Sequence, residues 1–274
     1  MKLRKAGTAA AAAIVLSLTA TACGGSDSGD GDEKITIGIK FDQPGLGLKT
    51  PDGDFTGFDV DVATYVAKEL GYDEKDIEWK EAPSPERENL ISRGDVDLIA
   101  ASYSITDERK EKVSFAGPYL LAHQDLLIRA DEKSINDAKD LNSKKLCSVT
   151  GSTSAQNVKK ELAPKADLQE YNTYSQCLTG LENKVVDALT TDDAILAGYA
   201  AQDEHQGKFK LAGLSLSDEN YGIGLKKGDT ELQKKVNDAL KKMVEDGSWD
   251  KAVKDNFGPA GYKNEAAPEI TETS

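Results

Sequence analysis

Cationic charge, histidine, cysteine and long apolar runs are all scarce in this 274-residue chain. Its 34 lysines and arginines face 48 aspartates and glutamates, a formal charge of −14. That excludes a nucleic-acid partner, because a phosphate backbone needs a basic face. It favours solubility and says little about a small ligand, since net charge is not site charge. The 2 histidines, His123 and His205, lie far in sequence from the 3 cysteines, Cys23, Cys147 and Cys177, and no CxxC pair occurs. The spacings of a zinc or thiol centre are therefore missing, and no metal or cofactor is called for. No Walker motif is present to cradle a nucleotide. Past the first residues, no apolar run approaches the ~20 residues that span a bilayer.

What apolar length there is sits at the N-terminus. Lys2, Arg4 and Lys5 precede the run Ala9 to Leu18, and Ala20-Thr21-Ala22 lead into Cys23. A charged start, a short apolar stretch and a small-residue cleavage site make residues 1–22 a secretory signal peptide. A cysteine at the cleavage point resembles a bacterial lipobox, although Ala20 stands where leucine is usual. That resemblance implies palmitate-type lipidation of Cys23 and a protein anchored to the cell membrane on its extracytoplasmic face. An ordinary secretion signal with a chance cysteine is the competing reading. Residues 23–33 are expected to be a flexible tether, because Gly24 to Asp32 contains Gly, Ser and Asp only and cannot bury apolar surface.

Loss of Lys2, Arg4 and Lys5 with the leader takes the charge from −14 to −17. About 240 residues remain, enough for two ordinary lobes. Cys147 and Cys177 are then an even pair in an exported protein and read as a disulfide. It would close a loop of about 30 residues and contribute roughly 3–4 kcal/mol. A nucleophile or half a metal site are the alternatives.

Strand and helix patterns alternate along the chain. Ile35, Ile37 and Ile39 give a period-2 strand ending at Lys40. The loop up to Gly57 has turn composition. Asp59 is expected to cap a helix carrying Val62, Tyr65, Val66 and Leu70, which Gly71 stops. A strand over Ile77 to Lys80, a helix over Glu86 to Arg93 and an apolar strand from Val96 to Ala101 follow. A second series runs through strand Lys145 to Val149, helices from Ser154 and Ser175, strand Val186 to Leu189 and helix Asp193 to Ala201. Tyr221 to Lys226 reads as a strand, with helices over Thr230 to Asp246 and Trp249 to Phe257. Such alternation predicts an α/β fold with mainly parallel sheets flanked by helices.

Two motifs carry a more specific message. The apolar run ends at Ser102 and Ser104, and Arg109 follows five residues later in Ser104-Ile105-Thr106-Asp107-Glu108-Arg109-Lys110. Amides, hydroxyls and a planar guanidinium at a strand end make a carboxylate cradle, although surface arginines after Asp-Glu pairs are common. Read with Gly57-Phe58-Asp59-Val60-Asp61-Val62-Ala63 upstream, the segment resembles the polar amino-acid-binding proteins of ABC importers, receptors of the type II periplasmic-binding-protein fold. The resemblance runs from about Ile35 to about Phe257.

The resemblance implies one lobe inserted into the other, with residues 34–126 and 219–260 forming lobe 1 and residues 127–218 forming lobe 2. Two strands near Gln124 to Arg129 and Ser217 to Gly222 would be the hinge; separately, the polar composition with prolines after Gly258 predicts that residues 261–274 are a disordered tail. The resemblance further implies that Arg109 and Ser104 hold a ligand α-carboxylate, that the Ser102 carbonyl accepts from the ammonium, and that Thr153 closes from the second lobe. Ser154 would cap the helix there. Asp192 would pair with the ammonium, with Asp193 as competitor. Lys40 and Arg87 stand where dicarboxylate-specific members hold a distal carboxylate, which points to glutamate, then aspartate; as solvated surface charges they would point to neither. Phe41 and Tyr103 are candidates for the ligand's aliphatic stem, or for core. The expected partner is a membrane permease with its separate ATPase, and the expected state a monomer. Glutamine or asparagine binding, a dehydratase and a sensor domain are the other readings.

Overall fold

The computed structural model describes residues 34–273; the expected signal peptide, Cys23 and tether lie outside the described residues. β1 (Ile35–Ile39) sends all three isoleucines into the core. The loop read as turn is instead a small antiparallel sheet of β2 (Asp42–Gln43), β3 (Gly47–Lys49) and β4 (Phe55–Thr56), whose strands are too short to leave a period in the sequence. Helix α1 (Phe58–Glu69) starts two residues earlier than expected. Gly57, at φ 125°, holds the cap position, so Asp59 lies in the first turn with its side chain fully buried rather than capping.

β5 (Ile77–Glu81), a short 3₁₀ turn, α2 (Arg87–Arg93) and β6 (Leu98–Ile99) complete a parallel unit with β1 between β5 and β6. Only two residues of the apolar run pair, because the chain leaves the ladder towards Ser102, which adopts a left-handed φ of 46°. After the short α3 (Asp107–Lys110) comes β7 (Ser114–Arg129), the longest strand.

Beyond it lie β8 (Lys145–Val149), α4 (Thr153–Asn157), β9 (Asp167–Tyr171), α5 (Tyr174–Glu182), β10 (Ala188–Asp192), α6 (Asp193–Ala200) and β11 (Phe209–Leu211). The chain ends with β12 (Asp218–Leu225), α7 (Thr230–Glu245) and α8 (Ser248–Phe257). The strand order is β5-β1-β6-β12-β7-β10-β8-β9, with β11 also on β7. β7 changes partner midway: it pairs antiparallel with β12 from Ser114 to His123, then with β10 from Gln124 to Ile128. One α/β lobe thus hangs on each half of β7, and the chain returns to the first lobe through β12. This is the two-lobed α/β architecture of type II periplasmic binding proteins.

Cys147 and Cys177 form a disulfide joining β8 to α5, which removes the nucleophile and metal-ligand alternatives. The tail expected to be disordered is instead docked. The amides of Thr271 and Glu272 donate to the Gly117 carbonyl, Asn237 Nδ2 donates to the Glu272 carbonyl, and Ala267 and Ile270 pack on the core. Small apolar contacts and buried amide partners hold a segment that its polar composition alone leaves loose.

Candidate functional site

The end of β1, the start of α2 and the short α3 bring three cations together. Lys40 is buried at the end of β1, its Nζ 2.8 Å from Ser84 Oγ. Burial, reinforced by the charge of Arg87, pushes its ammonium well below the usual lysine range. Arg87 donates from Nη1 to the carbonyls of Ala101 (3.0 Å) and Ser102 (3.1 Å), and its Nε has no partner. Arg109 donates to Ser104 O at 2.7 Å and, across the cleft, to Gly151 O at 3.0 Å. Burial, with Arg87 as the next cause, lowers its guanidinium to about 10. Tyr103 lies between the two guanidinium groups, 4.1 Å from that of Arg87 and 5.1 Å from that of Arg109. Its ring face attracts both cations, and its hydroxyl donates to Glu88. It is therefore a cation platform, not a stem contact. Phe41 packs on Phe55 in the outer hairpin and is not among the residues lining the cavity.

The Ser102 carbonyl accepts from Arg87, and its hydroxyl donates to Gln43 Oε1 at 2.5 Å. Asp59 completes the brace: one oxygen accepts from the Ser102 amide at 2.8 Å, the other from the Tyr119 hydroxyl at 2.7 Å. Desolvation raises this carboxyl's pKa even so.

The second lobe faces these groups with the turn after β8 and the end of β10. Ser152, not Ser154, caps α4 by accepting from the Ala155 amide. Ser154 is fully buried and points its hydroxyl at Asp192, 3.4 Å away. Thr153 donates to Glu219 on β12 at 2.8 Å. Asp192 accepts from the Tyr221 hydroxyl at 2.5 Å. Burial, then the nearby charge of Glu219, raises its pKa to about 8. Asp193 does structural work, accepting from the amides of Ala194 and His123 and from the Tyr262 hydroxyl.

Lys40, Arg87, Ser102, Ser104, Arg109, Thr153 and Asp192 all line one cavity, together with Gln43, Ser84, Ser152, Tyr174 and Ile195. It is collapsed to about 10 Å³, roughly the room of one water. Sequence reasoning did not find Gln43, Ser84, Tyr174 or the backing Glu219; the one available signal was their closeness to strand ends. Among the described residues no group of His, Cys, Asp and Glu could hold a metal ion. The arrangement is bipolar, with three cations on the first lobe and a carboxyl on the second, and so suits a zwitterion rather than a bond-breaking reaction.

Residues 35–259 match the family model of bacterial extracellular solute-binding proteins, family 3. The glutamate-binding protein GluB of Corynebacterium efficiens is 48% identical over 251 residues, covering 86% of this chain and 84% of that protein. The ABC transporter glutamine-binding protein GlnH of Bacillus subtilis is 41% identical, covering 81% and 80%. Among solved structures, an ancestral arginine-binding protein bound to glutamine superposes with a TM-score of 0.76 at 34% identity, covering 82% of this chain and 98% of that one. These relatives are named for binding and not for catalysis, and the chain belongs to family 3 of the bacterial extracellular solute-binding proteins.

Proposed function

We propose that the chain is the solute-binding lipoprotein of an ABC importer, anchored through Cys23, that binds an acidic amino acid between its lobes and delivers it to the membrane permease. Glutamate is the first ligand and aspartate the second. The observation that carries this reading is the imbalance of the cavity: Lys40, Arg87 and Arg109 face Asp192. An amino-acid backbone offers one carboxylate and one ammonium, which match Arg109 and Asp192. Lys40 and Arg87 then remain, and a second ligand carboxylate supplies the counter-charge that buried cations require. The unpartnered Nε of Arg87 is a donor held in reserve for it.

Ligand docks first on Arg109 and Ser104. In the closed state, contacts to the ligand carboxylate replace the Arg109 contact with Gly151 O and the Thr153 contact with Glu219 seen without ligand. Asp192 gives up its proton and meets the ammonium. Ligand adds contacts that only the closed state offers, so it shifts the population that the permease reads.

A second reading, glutamine or asparagine as ligand, draws on Lys40. Burial lowers the pKa of this amine beside Ser84, and its neutral form would hydrogen-bond a side-chain amide. Calorimetric titration of the chain without its leader against glutamate, aspartate, glutamine and arginine separates the two. Glutamate tightest supports the proposal, glutamine tightest supports the second reading, and arginine alone removes both. For the anchor, Cys23→Ser should release the protein from the membrane fraction.

A further inference from the structure

Gly198 lies inside α6, where glycine is a poorer helix former than alanine. Its surroundings give the reason: a Cβ there would stand 2.0 Å from the Pro44 carbonyl oxygen, in the β2–β3 loop of the other lobe. Pro44 has little room to retreat. The Gly45 carbonyl accepts from the Phe58 amide and the Leu46 carbonyl from the Asp59 amide, pinning the loop to the start of α1, and Leu46 is fully buried. Beside this contact, the Tyr199 hydroxyl donates to the Asp42 carbonyl oxygen at 2.6 Å and reaches its carboxylate at 3.1 Å, while Ser175 Oγ donates to the same carboxylate at 3.0 Å. A second bare contact lies by the cavity, where a Cβ on Gly151 would stand 3.0 Å from Pro85 Cα.

We infer that Gly198 and Pro44, with Asp42, Tyr199 and Ser175, form an inter-lobe latch that sets how far the cleft closes and stabilises the closed state without touching ligand. None of the latch residues lines the cavity. Closure brings α6 against the β2–β3 loop only because position 198 carries no side chain. The latch energy is the same for every ligand that closes the cleft, so it tunes affinity and leaves selectivity alone. Ile195 and Asp192, at the start of α6, line the cavity in this arrangement. This inference rests on the proposed ligand-driven closure.

The test is Gly198→Ala beside the unchanged protein and Tyr199→Phe. Each is measured by small-angle scattering with and without glutamate, and by titration with glutamate and glutamine. Gly198→Ala should keep or raise the melting temperature, give a larger radius of gyration than the unchanged protein, and weaken both ligands at least about tenfold. Tyr199→Phe adds no bulk and should weaken both ligands by one common, smaller factor. Unchanged radius and affinity in Gly198→Ala would overturn the latch, as would a Tyr199→Phe loss confined to one ligand. If the unchanged protein binds neither amino acid but Gly198→Ala still expands without ligand, the ligand assignment falls and the latch stands.

Discussion

Burying Lys40, Arg87 and Arg109 in one wall, with Glu88 their one acidic ion partner among the described residues (3.7 Å from Arg109 Nε), destabilises the ligand-free protein, because desolvation of a buried charge outweighs imperfect pairing. Lys40→Met should therefore stabilise the unliganded protein by about 1 kcal/mol, read as a raised urea midpoint; a lowered midpoint would mean that the Ser84 contact matters more than desolvation. Asp192 gives a pH signature. Its carboxyl titrates near 8 in the folded chain against an ordinary 3.8. Between those values the folded form holds the extra proton, so stability falls as pH rises, by about 1.4 kcal/mol per unit for one proton. Asp192→Asn removes this slope, and its stability relative to the unchanged protein should be higher at pH 8 than at pH 5 in denaturant titrations. Seven of the cavity residues were named from the sequence, Ser102, Ser104 and Arg109 as a carboxylate cradle after an apolar strand and Lys40, Arg87, Thr153 and Asp192 through the resemblance. Glu219 was not, because its approach to Thr153 depends on where β12 returns.

At the scale of elements, the end of β6 is the part that the site depends on. Ser102 holds a left-handed backbone, which carries strain for a side-chain-bearing residue, and Asp59 on α1 fixes it there through the amide and hydroxyl. Asp59→Ala leaves the Ser102 amide and the Tyr119 hydroxyl without this acceptor. It should destabilise by about 1–3 kcal/mol and loosen the carbonyl that orients Arg87, weakening ligand as well. Unchanged affinity together with unchanged stability would remove the brace. β1 and β8 were readable from their apolar patterns, and α7 from its helical one. β2 to β4 and β11 are two or three residues long and leave no period, while β9 is an edge strand whose Asp167 and Glu170 are exposed, the charged dress of an edge. Asp59 was misread as a cap because an aspartate just inside a helix start looks the same in sequence whether it faces solvent or core.

For the whole molecule, the alternation of strands and helices was enough to predict an α/β fold. The split of one lobe around the other was not derivable from periodicity and came from the resemblance. The docked tail was missed because its partners, Gly117, Gln233 and Asn237, are distant in sequence. What unites the scales is a cavity whose first-lobe wall has more positive charge than an amino-acid backbone can answer. The most direct test is the ratio of glutamate to glutamine affinity, by calorimetry at neutral pH, in the unchanged protein and in Lys40→Met. A ratio well above one that collapses in Lys40→Met is the predicted result; a ratio below one, or one that Lys40→Met leaves untouched, would contradict it.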